Sequence, residues 1–147
     1  VQERMSMIAI SACLAGKCCK YNGGSNEVES LRKLYESQEA ILICPEVEGG
    51  LPVPRVPSEI VQDKVLTQDG KDVTENYRQG ALKCLEKCKE AHCTMAVLKA
   101  KSPSCGVGEV YDGTFSHTVV KKDGIFTQLA RENGICCMTD EEYLQKL

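Results

Sequence analysis

The feature that most constrains the fold is an alternation of two patterns. Four short apolar runs occur in "MSMIAISACL", "EAILICPEVEGG", "TMAVLKA" and "ICCMT", and stretches with helical spacing separate them. In "EVESLRKLYES" the residues Val28, Leu31, Leu34 and Tyr35 recur every three or four positions among charges. In "DVTENYRQGALKCLEKCKEAH" an apolar stripe runs through Tyr77, Ala81, Cys84, Leu85 and Cys88. Asp72 or Thr74 is positioned to cap that helix, with Glu75 in its first turn. "IFTQLARENG" predicts a further helix with Gly134 as its C′ residue, and "DEEYLQKL" a last one capped by Thr139 or Asp140. The strand runs are continuously apolar, so both faces of the sheet must be covered, which is the mark of a parallel α/β sheet.

The expected order is β-α-β-(hairpin)-α-β-α-β-α. It implies one α/β domain over residues 1–147, a three-layer Rossmann-like or flavodoxin-like sandwich with a mostly parallel sheet. The first strand is expected to end in Cys13, and Val1 to Ser6 to form a frayed extension. "LPVPRVPSEIVQDKVLTQDG" reads as an irregular loop and a small hairpin insertion closed near Asp69-Gly70. No G-x-G-x-x-G turn follows the first strand, so dinucleotide binding is not expected.

Composition narrows the function. The net charge of −3, with no long basic block, disfavours a nucleic-acid-coating protein. No apolar run approaches the roughly 18 residues of a membrane span. The opening "VQERMSMIAI" lacks a signal-peptide layout. A cytoplasmic protein is expected, monomeric or a small homo-oligomer, with no membrane partner. Ten cysteines in 147 residues are the outlier. A secreted disulfide scaffold would be shorter and loop-rich. Cys84 and Cys88 sit inside a helical pattern, and Cys136 and Cys137 inside an apolar run read as strand core. Reduced thiols and a metal site account for the count better.

Cys13, Cys44 and Cys105 carry that site. Each falls at or just past the C-terminal end of a strand, beside Pro, Gly or Ser. In an open parallel sheet those ends share one edge, and ligands bind there. Three thiolates hold a metal and leave one position open. A structural zinc site would want four ligands in C-x-x-C pairs, and none occurs. A three-cysteine iron–sulfur cluster, zinc with a bound water, a redox-sensing module and three inert buried thiols all remain open on this pattern. Cys18 and Cys19, adjacent in the first loop, read as solvent-facing or as spare ligands.

Polar residues near these thiols complete the expectation. Glu46, stiffened by Pro45 in "CPEVEGG", is a candidate general base, whereas Glu48 reads as a surface residue. Ser102 and Ser104 flank Pro103 in "KSPSCG"; Ser102 is favoured for a catalytic role and Ser104 for contact with substrate. Arg55, between prolines, suits a planar acceptor or a phosphate, with a salt bridge to Glu59 as the alternative. Asp112, in "YDGTF", is a further substrate-binding candidate, although the turn reading carries more weight there; Phe115 packs or stacks on a ring. His92 and His117 have no Ser or Cys partner, so a Cys–His hydrolase dyad is not supported.

At these residues the sequence resembles a known family. "SACLAGKCCKYNGGSN", "CPEVEGGLPVPRVPSE", "GKDVTENYRQGA" and "LKAKSPSCGVGEVYDGTFS" are similar, in order, to the motif blocks of the thiouracil desulfidases, once a domain of unknown function. The likeness runs from about Ile8 to Ile135. It implies removal of sulfur from 2-thiouracil or a related thiolated base or nucleoside, giving uracil and hydrogen sulfide. It implies a [4Fe–4S] cluster with three cysteine ligands, which match Cys13, Cys44 and Cys105, and a catalytic acid and serine, which match Glu46 and Ser102. The thiol pair Cys18-Cys19 before the "YNG" turn is a departure from the pattern.

Overall fold

The computed structural model describes residues 7–19 and 21–146; the expected extension at Val1 to Ser6 lies outside them. Four parallel strands form the central sheet: β1 (Met7–Ser11), β2 (Ala40–Ile43), β5 (Cys93–Leu98) and β8 (Cys136–Thr139), in the order β2-β1-β5-β8. Helices α1 (Glu29–Glu36), α3 (Thr74–Glu90), α4 (Ile125–Glu132) and α5 (Asp140–Gln145) make the crossovers and the C-terminal cap. This is the flavodoxin-like arrangement: β1 connects outward to β2, the chain returns past β1 to β5, and a switch point opens between them.

The strands bury both faces. On one side Ala9, Ala96 and Leu98 pack with Ala81, Cys84, Leu85 and Cys88 of α3 and with Phe126 and Ala130 of α4. On the other, Ile10, Val97 and Met138 pack with Leu31 of α1, and Tyr143 of α5 lies against them. Each fully buried side chain of Leu or Phe size contributes about 1.5–3 kcal/mol. Thr139 caps α5 through a complete capping box with Glu142, so Thr139 and not Asp140 has that role. Gly134 takes the left-handed C′ position after α4 at φ 80°.

Three details differ from the sequence expectation. First, β1 ends at Ser11, and Cys13 lies in the 3₁₀ turn (Ala12–Ala15) that follows. Second, the hairpin of β3 (Ser58–Val61) and β4 (Lys64–Thr67) closes at Gln62-Asp63, with Gln62 left-handed at φ 58°. That dipeptide lacks the glycine that usually announces such a turn. Asp69-Gly70 instead closes a second turn, where the Thr67 N–H bonds the Lys71 carbonyl at 2.8 Å. Third, Cys136 is exposed and Cys137 only half-buried, because β8 is the edge strand of the sheet. A two-stranded ribbon, β6 (Val110–Tyr111) with β7 (Val119–Val120), was also invisible to periodicity at its length.

One turn of helix, α2 (Pro45–Glu48), joins β2 to the loop before β3 and lies directly on α3. A Cβ at Gly80 would come within 1.8 Å of the Pro45 carbonyl oxygen, and one at Gly49 within 2.0 Å of the Asn76 carbonyl oxygen. The Asn76 amide closes the contact with a 2.9 Å bond to the Gly49 carbonyl. Glycine in mid-helix normally costs stability, so Gly→Ala at an open site gains up to about 1 kcal/mol. Here the sign reverses: Gly80→Ala is expected to destabilise by about 1–3 kcal/mol, read from the midpoint of urea unfolding. A gain in stability would show that α2 does not press on α3.

Candidate functional site

Each of the three thiols is set by a local backbone device. Cys13 sits in the 3₁₀ turn, which Gly16 ends at φ 96°. The Asn26 N–H bonds its carbonyl at 2.9 Å, and the Asn26 amide nitrogen lies 3.7 Å from its sulfur. Cys44 is the residue before α2, with Pro45 at the first helical position, where a missing N–H costs nothing. Its carbonyl accepts the Glu48 N–H at 2.9 Å, so the turn that fixes Cys44 also fixes Glu46.

Cys105 is held most elaborately. Past β5, Lys101 takes a left-handed conformation at φ 67°. Ser102 Oγ then accepts the N–H groups of both Ser104 and Cys105 at 3.2 Å. The carbonyls of Pro103 and Ser104 in turn accept the N–H groups of Ile125 and Phe126 at 2.8 and 2.9 Å. The "SPSCG" turn thus caps α4, satisfying donors that a helix start leaves free. Gly124 permits the approach, since a Cβ there would lie 2.5 Å from the Ser104 carbonyl carbon.

The three turns open into one hollow of about 550 Å³. Cys13, Cys44 and Cys105 all line it, with Glu46, Ser102 and Ser104. Glu46 is the hub of its polar wall. Ser104 Oγ donates to Glu46 Oε1 at 2.6 Å, Ser102 Oγ lies 3.5 Å from the same oxygen, and the two hydroxyls are 3.0 Å apart. Ser102 accepts two backbone N–H groups, which leaves its own proton for Ser104 or Glu46. The result is a short proton path from Ser102 through Ser104 to the carboxylate. Glu46 Oε2 faces Cys44 Sγ at 3.8 Å and Ser104 Oγ faces Cys105 Sγ at 3.5 Å, so the path runs beside two of the thiols.

The thiols differ in the direction in which their surroundings push their ionisation. A hydrogen bond from the Cys19 thiol holds Cys13 and Cys44 each below the ordinary 9.0, against the opposing effect of burial. Cys19 itself is pushed up by those same two contacts. Burial, reinforced by the Glu46 carboxylate, pushes the Cys105 thiol up. Two of the thiols are therefore predisposed to act as anionic ligands, and the third needs a cationic centre beside it to ionise. Among the described residues, no three His, Cys, Asp or Glu side chains meet closely enough to hold a single metal ion.

Arg55 lines the hollow from the loop before β3, and its guanidinium donates to the carbonyls of Pro52 and Cys19 at 3.1 Å each. It thereby ties the first loop to the third. Its candidate partner Glu59 serves another loop, accepting the N–H groups of Gly113 and Phe115. Asp112 is not part of the lining; its carboxylate accepts the N–H and hydroxyl of Thr114 in a turn, which holds its carboxyl below the usual range. Glu48 pairs with Lys87 of α3. Cys18 is exposed, whereas Cys19 lies in the hollow. Asn26 and the buried Tyr77 also line it; neither stands out in the sequence, because spacing does not show which end of an element meets the sheet edge.

Comparison with known proteins bears on this arrangement. Residues 8–142 match the 2-thiouracil desulfurase family. The chain belongs to that family. It is 39% identical over 146 residues to the uncharacterized protein YbbK of Bacillus subtilis (strain 168), covering 92% of this chain and 97% of that protein. Its fold matches the solved structure of a [4Fe-4S]-dependent thiouracil desulfidase, TudS, with a TM-score of 0.90 and 37% identity over 95% of this chain and 94% of the other. The resemblance drawn from the motif blocks is thus borne out by the match over residues 8–142 and by the shared α/β architecture.

The two serines make a separable prediction. Ser104 is fully buried and donates the shorter bond to Glu46. Ser104→Ala is expected to cost about 1.5–3 kcal/mol, the range for a hydrogen bond to a charged group, and Ser102→Ala about 0.5–1.5 kcal/mol. Urea unfolding of the metal-free protein checks the ranking; a larger loss at Ser102 would contradict the assignment of Ser104 as the main partner of Glu46.

Proposed function

We propose that the chain removes sulfur from 2-thiouracil or a related thiolated pyrimidine base or nucleoside, with a [4Fe–4S] cluster held by Cys13, Cys44 and Cys105. The observation that carries this reading is the hollow itself, where three turns place those thiols around a space shared with a carboxylate and two linked hydroxyls. Three soft thiolate donors lining one cavity are the ligand type that iron–sulfur clusters take. Bound with three protein ligands, such a cluster supplies a soft Lewis acid that draws electron density from a thiocarbonyl group.

The chain's own residues supply the rest. Glu46 takes a proton from a water that attacks the thiocarbonyl carbon. Ser102 and Ser104 orient the carboxylate and pass the proton along their hydrogen-bonded path toward the departing sulfur. The carbon–sulfur double bond becomes a carbon–oxygen double bond, one water is consumed and one hydrogen sulfide leaves. No electrons are gained or lost overall, so no electron donor is required. Arg55, fixed by two backbone carbonyls, contacts the base, and Ser104, buried behind Glu46, acts on it through that carboxylate. Asp112, engaged with Thr114, shapes the adjoining loop. Among the described residues no helix is long and apolar enough to cross a membrane.

Anaerobic reconstitution with iron and sulfide, followed by measurement of sulfide and uracil from 2-thiouracil, tests the reading. Equal amounts of the two products are expected. Glu46→Gln should keep the cluster's visible absorbance while lowering kcat by about 10²–10⁴-fold. Cys105→Ser should lose the absorbance itself. A fully loaded protein that releases no sulfide would overturn the proposed activity.

A further inference from the structure

Glu59 is a buried carboxylate that the chemistry above does not use. It stands in β3, in the floor of the hollow, and its Oε1 accepts two backbone N–H groups from one loop: Gly113 at 3.0 Å and Phe115 at 3.1 Å. That loop joins β6 to β7 and carries Phe115 and His117, both of which line the hollow. Both residues are left-handed, at φ 57° and 61°. Such a conformation is costly for a side chain with a Cβ and persists only where surroundings impose it. Lys101, a third left-handed non-glycine residue, also borders the hollow. The loop is pressed on β3 as well, for a Cβ at Gly113 would lie 2.8 Å from the Ile60 carbonyl oxygen. His117 stands edge-on to Tyr111, ring centroids 5.7 Å apart at 82°, which fixes the imidazole plane.

From this arrangement we infer that Glu59 is a positioning residue for substrate, clamping the 112–118 loop so that Phe115 and His117 form an aromatic wall against which the planar ring of the thiolated pyrimidine seats. A buried negative charge with two amide donors aimed at it is well compensated. The two bonds offset the left-handed backbone of the loop, which would otherwise relax and carry Phe115 away. The 112–118 loop carries the wall and the exits of β2 and β5 carry the Glu46–Ser104 pair, so the wall acts on binding of the ring and not on proton transfer. The inference rests on the desulfidase reading and adds to it the element that recognises the base.

Steady-state kinetics on the reconstituted enzyme, with cluster content matched by absorbance, tests it. Glu59→Gln is expected to raise KM for 2-thiouracil about tenfold with kcat within about twofold, the pattern of lost uniform binding. Glu59→Asp, which keeps the charge on a shorter stem, should fall between wild type and Glu59→Gln. Phe115→Ala should raise KM by a similar factor and Phe115→Tyr should restore it. Because both residues act through one loop, the double variant Glu59→Gln/Phe115→Ala should be no worse than the poorer single one. Hydrogen exchange at the Gly113 and Phe115 amides should quicken in Glu59→Gln. A drop in kcat at constant KM, multiplicative effects in the double variant, or a fall in melting temperature with unchanged kinetics would overturn the role of Glu59. Absence of sulfide release from wild type would instead remove the activity on which it rests.

Discussion

Parallel pairing of β1 with β2 on one side and β5 on the other is the constraint on which everything else depends. The register sets Ser11 beside Ile43 and Ile10 beside Val97. All three strands therefore release the chain at the same edge. Two residues past β1 comes Cys13, one past β2 comes Cys44, and a short turn past β5 comes Cys105. Without that common edge, thiols separated by 31 and 61 positions in the sequence would have no reason to share a cavity. The direction of the strands does the gathering, and the side chains only exploit it.

The exits are then made rigid in different ways. Cys13 depends on a 3₁₀ turn and a long loop, Cys44 on a proline-started helical turn pressed into α3, and Cys105 on a serine-stitched turn that doubles as the cap of α4. The last two are also the segments that carry Glu46 and the serine pair. The proposed ligands and acid–base groups therefore share the same supports, and the 2.6 Å Ser104–Glu46 bond bridges the two exits. The charge pattern follows. Cys19 reaches from the first loop toward two of the thiols and favours their ionised form, while burial, reinforced by the Glu46 carboxylate, pushes the Cys105 thiol up.

Much of this was legible in the sequence. Continuous apolar runs alternating with helical stripes specify a parallel sheet, because both periodicities are local and long enough to read. Placement at strand ends pointed Cys13, Cys44 and Cys105, with Glu46 and the serines beside them, to one edge, and all of them line one hollow. What escaped was tertiary. The hairpin closes at Gln62-Asp63, where no glycine marks the turn and only strand register decides. Whether Cys19 or Cys18 faces the hollow depends on how the first loop folds back over β1, and Arg55 holds that loop from 36 residues away. Glu59 read as a salt-bridge partner because a lone carboxylate in "PSEI" gives no sign that two amides from a distant loop converge on it. At Asp112 the turn reading, the weightier of the two, agrees with the bonds its carboxylate accepts from Thr114.

The central claim is that the three exits hold an iron–sulfur cluster and leave one of its iron atoms without a protein ligand. Mössbauer spectroscopy of protein reconstituted anaerobically with ⁵⁷Fe measures this directly. The account predicts two iron environments in a ratio of roughly three to one, with only the minor one changing when 2-thiouracil is added. Four equivalent irons indifferent to 2-thiouracil, or a single iron bound per chain, would contradict it.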